Sequence, residues 1–152
     1  MIEKTKELLS AVSALLNNVR NYTSLFDEYR HYLIGNDFPD IDQHSYLIES
    51  RDIFLASETL KKMDNCLCRI VNDMIEIKKL LAMNKTYSKE EIDFLNSYVI
   101  DLNSTSDLMN KRINLLKDPD KLLLKMNERF MKEITTLDFL IKKYNEKACY
   151  KR

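Results

Sequence analysis

The sequence predicts an all-α fold: an antiparallel four-helix bundle of long helices with coiled-coil-like 4-3 packing, in a single domain spanning 1–152. Three observations carry this expectation. The 152 residues include one glycine and two prolines, where average usage would supply roughly ten and seven, so the backbone has few places to break. Apolar residues make up 45% and charged residues 32% of the chain, a mixture that suits amphipathic helices and not a disordered segment. Apolar side chains also recur at alternating intervals of four and three along four stretches. A period of about 3.5 is that of helices packed at small angles with a left-handed twist. No segment shows the period of two that a strand requires.

The first stretch, Leu8, Val12, Leu15, Val19, Tyr22, Phe26, Tyr29 and Leu33, predicts a helix over 3–34. Gly35 follows it where a left-handed C′ residue ends a helix, and Asn36 to Asp40, with Pro39, reads as a loop. Ile53, Ala56, Leu60, Met63, Leu67, Ile70, Met74, Ile77 and Leu81 predict a second helix over 45–83. Leu9, Leu16, Leu25 and Tyr32 on the first helix, with Val71 and Ile75 on the second, widen these stripes toward a bundle face.

Ser88-Lys89-Glu90-Glu91 fits a capping box with Ser88 at the N-cap and Glu91 at N3. It opens a helix over 88–117 whose stripe is Ile92, Leu95, Val99, Leu102, Ser106, Met109, Ile113 and Leu116. Asp118-Pro119-Asp120 puts an acidic cap before a proline at N1. The fourth helix, over 119–147, follows with Leu123, Asn127, Phe130, Ile134, Leu137, Ile141, Tyr144 and Ala148. Ser106 and Asn127 interrupt neighbouring stripes, and a buried polar pair of that kind fixes helix register. Connections of about ten, four and one or two residues favour antiparallel neighbours.

The scarcity of glycine removes several catalytic architectures. Phosphate loops, dinucleotide turns and nucleophile elbows all need glycine where the backbone turns sharply or meets a ligand. Glu28 and His31 form a Glu-x-x-His on a helix, half of the ligand set of a di-iron bundle. His44, the other histidine, has no glutamate three residues before it. Asp37, Asp40 and Asp42 lack the glycine and terminal glutamate of a calcium loop. Three cysteines, Cys66, Cys68 and Cys149, give no disulfide framework. Neither a metal nor a cofactor is expected, and no small-molecule substrate is evident. Tyr22, Phe26, Tyr29 and Tyr32 form an aromatic band at helical spacing, expected in the core.

No apolar run approaches the roughly 18 residues of a membrane span. The start of the chain carries Glu3 and Glu7 and has no apolar region of a leader, so the expected compartment is the cytoplasm. Had a leader been removed beforehand, the same chain would suit the periplasm.

Charge distribution says more than the total. The 24 basic and 24 acidic residues cancel, which gives no global case for nucleic acid. Residues 1–76 nevertheless carry a net −5 and residues 77–152 a net +5. Lys117, Lys121, Lys125, Arg129 and Lys132 recur every three or four residues and share a helix face. A solvated face accounts for such a row. As a binding surface it would take an acidic protein partner, including the acidic half of a second copy. Phe130 and Tyr144 follow core spacing, which disfavours base stacking.

The segment Val19-Arg20-Asn21-Tyr22-Thr23-Ser24-Leu25 after an apolar helix start resembles small helical proteins of conjugative-transfer operons in Bacteroides-type bacteria. So do Met83-Asn84 and then Glu90-Glu91-Ile92-Asp93-Phe94-Leu95. The likeness covers about a third of the chain through short motifs. It implies an accessory or minor-pilus component of type IV secretion machinery. The residues alone point to a non-enzymatic helical interaction, scaffold or assembly protein that binds protein partners or itself. A metal-binding bundle enzyme at Glu28 and His31 is the catalytic alternative.

Overall fold

The computed structural model of the chain describes residues 2–34, 50–83, 87–116 and 119–148. Four long helices make up almost all of it: α1 (Ile2–Ile34), α2 (Ser50–Ala82), α3 (Lys89–Asn114) and α4 (Lys121–Ala148). No strand occurs among the described residues. The fold is the all-α four-helix bundle that the 4-3 spacing predicts. Gly35, the segment expected to form a loop after it with its three aspartates and His44, and the stretch 45–49 lie outside the described residues, as does Cys149.

The helix ends show how local chemistry sets the boundaries. Ser88 stands in extended backbone, and its Oγ accepts from Glu91 N at 3.1 Å while Glu91 Oε1 accepts from Ser88 N at 2.8 Å. This reciprocal pair satisfies two amides that the first turn leaves without helical partners. α3 stops at Asn114, short of the expected 117, with Leu115 as its C-cap. Leu115 N and Leu116 N bond to the carbonyls of Arg112 and Ile113, at 3.2 and 3.0 Å. That i→i−3 tightening closes the last turn early and still turns Leu116 inward.

α4 begins later than expected, because its cap is Asp120 and Pro119 sits one residue before the cap instead of at N1. Asp120 Oδ1 accepts from Leu122 N at 2.8 Å, and its carbonyl accepts the first helical bond from Leu124 N at 3.1 Å. The sequence offers an aspartate on each side of Pro119. The one whose carboxylate reaches the N2 amide defines the start.

The inward stripes are buried nearly without exception. From Leu8 to Tyr29, from Ala56 to Leu81, from Ile92 to Leu116 and from Leu123 to Ile141 each stripe residue is buried. The departures fall at helix ends and stripe margins. Ile53, in the first turn of α2, is 55% exposed, and Leu33, in the last turn of α1, is half-buried, because neighbours thin out toward helix termini. Leu9 and Ile75, expected to widen their stripes, are exposed; the apolar face is narrower there than composition suggested.

The chain forms two compact units, one of Met1–Leu15 with Ile70–Arg152 and one of Leu16–Arg69. In the first, α3 and α4 run antiparallel. Asn127 Nδ2 donates to Asn110 Oδ1 at 3.1 Å near one end of the hairpin, and Tyr87 N donates to Tyr144 OH at 2.9 Å near the other. Lys78 of α2 pairs with Glu133 of α4 at 2.9 Å. In the second unit, Cys66 Sγ donates to the Asn18 carbonyl at 3.2 Å and ties α2 to α1.

Candidate interaction surface

The outward side of α4 carries the basic row. Lys121, Lys125, Arg129 and Lys132 are all exposed, each three or four residues from the next, so their side chains neighbour one another on a single face. Lys117 lies outside the described residues. None of the four is in an ion pair among the described residues, whereas Lys61, Lys78 and Lys142 hold Glu58, Glu133 and Asp138 at 3.2, 2.9 and 3.1 Å. Glu128 is an exposed carboxylate on the same side of the helix and pairs with none of them. Further along, Lys143 Nζ stands 5.5 Å from the centre of the Phe139 ring, and that ring is 58% exposed.

Such a row is unfavourable for the isolated helix. Like charges three or four apart repel by about 0.2–0.5 kcal/mol per pair, and the row contains three successive pairs. The opposite side of α4 is fully engaged in the core, with Leu123, Phe130, Ile134, Leu137 and Ile141 buried. One helix therefore divides its surface sharply, into an apolar side that folds and a cationic side that meets solvent.

Other candidate residues are less concentrated. Glu28 and His31 are exposed on α1, and His31 makes an edge-on ring contact with Tyr32 at 6.1 Å. Among the described residues, no group of three or more His, Cys, Asp or Glu side chains is placed to hold a metal. Within the second unit, Asn21, Ser24 and Glu28 of α1 face Lys62, Asn65 and Arg69 of α2 across an open groove of about 360 Å³. Its polar groups carry both signs of charge. Cys68 is exposed and Cys66 is buried, both as reduced thiols outside any disulfide.

The aromatic band is core, as its spacing predicts: Tyr22, Phe26 and Tyr29 are buried, with Tyr32 half-buried beside them. Burial pushes the Tyr22 phenol well above the ordinary tyrosine value, with smaller contributions from the Cys66 thiol and the Asp64 carboxylate. Arg30 is also buried, with its guanidinium 5.7 Å from the centre of the Phe26 ring and 3.6 Å from Asp27. Spacing alone did not identify it, since a long stem can bury while its charge stacks on an aromatic face.

The partner of Asn127 is set by packing between helices and not by stripe spacing. Ser106 and Asn127 are both buried, at 3% and 4% exposure, but the amide of Asn127 bonds to Asn110, one turn beyond Ser106. Tyr87 is buried just before the capping box, and desolvation raises its phenol, followed by Glu7, Tyr144 and Glu91. The sequence does contain that signal. Tyr87 at N′ and Ile92 at N4 occupy the two positions of a hydrophobic staple, and both are buried.

No described helix is long and apolar enough to cross a membrane. Compared with known proteins, the chain matches no family model, no curated protein and no solved structure.

Proposed function

We propose that this protein is a non-catalytic helical interaction protein, with a scaffold or assembly role, that docks on acidic protein surfaces through the outward row of α4. One observation supports the reading above the others: four successive cations on one face without carboxylate partners among the described residues, on a helix whose other side is wholly committed to the core. From Lys121 to Lys132 the row extends about 17 Å along the axis, a length that matches an acidic helix or strand face. The zero net charge of the chain and the burial of Phe130 favour a protein partner over nucleic acid.

The likeness to conjugative-transfer proteins gives a finer form of the reading, in which the partners are other components of a type IV secretion assembly. Transfer genes flanking this one in its own genome support that form, and a neighbourhood without them removes it.

The test compares capture from native-host lysate by immobilised wild-type protein and by the Lys121→Glu/Lys125→Glu/Lys132→Glu variant. Wild-type protein is expected to retain acidic proteins that elute as salt rises and the Debye length falls below about 8 Å, and the variant to lose them. Identical capture by the two proteins contradicts the reading. So does capture that nuclease treatment abolishes.

A further inference from the structure

Resting on the reading of α4 as a docking surface, we infer that an acidic surface it fits is the outward face of α3 on a second copy of this chain. The protein would then be a homodimer in which α4 of each protomer lies on α3 of the other. The averaged charge of the two chain halves conceals this face, because α3 belongs to the basic half. Glu90, Asp93, Asp101 and Asp107 are all exposed on α3, and none forms an ion pair among the described residues. Among the described residues, α3 thus has four carboxylates and α4 four cations outside any ion pair, on adjacent helices of one hairpin.

Apolar exposure follows the same hairpin. Seven of the twelve large hydrophobic residues exposed among the described residues belong to α3, its C-cap and α4. Ile100, Leu108 and Phe139 are 57, 48 and 58% exposed, interspersed with the charges. Charge complementarity steers two such faces together and sets their register, and the apolar side chains among the charges supply area that the contact would bury.

Symmetry makes the contact self-completing. α3 and α4 run antiparallel side by side, so a two-fold axis through the hairpin face sets α3 on the partner's α4 and α4 on the partner's α3 together. A face two helices wide, with helices about 10 Å apart and about 39 Å long, offers on the order of 1,500 Å² in total. That is the standard size of a specific interface. The isologous arrangement closes at two copies.

Light scattering on size-exclusion fractions tests the inference, with protein at about 100 μM and salt at about 50 mM, where the Debye length exceeds 10 Å. Wild-type protein is expected at twice its 18.1 kDa chain mass. Two charge-reversed variants are expected as monomers: Lys121→Glu/Lys125→Glu/Lys132→Glu on α4, and Asp93→Lys/Asp101→Lys/Asp107→Lys on α3. Each is checked for native helicity and an unchanged melting midpoint, and the α3 variant spares the capping box. Mixed in equal amounts, the two variants present opposite charges at both contacts and are expected to return to the mass of a dimer.

Wild-type protein at 18.1 kDa under these conditions overturns the inference. A dimer mass that survives both reversals overturns it too, as does an equimolar mixture that stays monomeric. A monomeric wild-type protein that still captures acidic proteins, and loses them on reversal of α4, refutes the homodimer alone and leaves the reading of the α4 surface standing.

Discussion

Residues 16–69 and the α3–α4 hairpin both come from 4-3 stripes, yet they bury their side chains by different means. The 16–69 unit relies on large and partly polar groups: Tyr22, Phe26 and Tyr29, Arg30 over the Phe26 ring, and Cys66 bonded to a backbone carbonyl. The hairpin relies mainly on aliphatic residues, such as Ile92, Leu95, Val99, Ile134, Leu137 and Ile141, each with no measurable exposure. The 16–69 unit contains described segments of only two helices, α1 and α2. Wide rings and a long cationic stem carry much of its core. The same period in the sequence thus conceals two kinds of core.

The largest expected difference between these cores is in the response to cavities. Phe130→Ala, at a site with 0% exposure on α4, is expected to cost about 3–5 kcal/mol in urea or thermal unfolding. Phe26→Ala, with 1% exposure, is expected near the lower end of that range, because the flexible Arg30 side chain stacked on its ring can relax into the vacancy. Equal losses at the two sites would remove the distinction.

Polar groups inside the hairpin are expected to respond at the next level. Asn110→Ala removes the acceptor that holds the buried Asn127 amide at 3.1 Å and is expected to cost about 1–3 kcal/mol. A null result would mean that Asn127 has no need of Asn110 for register. At the start of α4, Asp120→Ala is expected to cost about 1 kcal/mol, through loss of the bond from Leu122 N.

The smallest effect at neutral pH, and the most diagnostic of the 16–69 core, belongs to Tyr22. Its phenol is raised above the ordinary tyrosine value, first by burial. Above about pH 10 the unfolded chain releases this proton while the folded chain keeps it. The folded state then binds more protons, so stability falls as pH rises through the alkaline range. Tyr22→Phe is expected to change stability at pH 7 by less than about 1.5 kcal/mol and to flatten the alkaline part of a stability–pH profile. An unchanged alkaline slope would show that other groups set it.

The fold was legible because burial in a bundle is written directly into spacing. Every stripe residue from Ala56 to Leu81 and from Ile92 to Leu116 is inward. Less legible were features set by contacts between helices or by competition at their ends. Spacing paired Asn127 with Ser106, but the rotation of α3 brings Asn110 to it. Asp118 and Asp120 are equivalent caps on paper, and hydrogen bonding selects Asp120. Tyr87 precedes a helix and joins no stripe, so periodicity does not mark it, although the staple position does. The basic row of α4 was visible in the sequence. The acidic outer face of α3 was not, because summing charge over half the chain dilutes four carboxylates among sixteen cations.

Lysine acylation followed by mass spectrometry, on the protein alone and with an acidic protein it captures, tests the central claim most directly. Lys121, Lys125 and Lys132 report on the α4 surface, with exposed Lys62 and Lys79 of α2 as internal references. Selective protection of the three α4 lysines in the complex is the predicted result. Labelling of those lysines unchanged by the partner, or protection shared equally by Lys62 and Lys79, would contradict it.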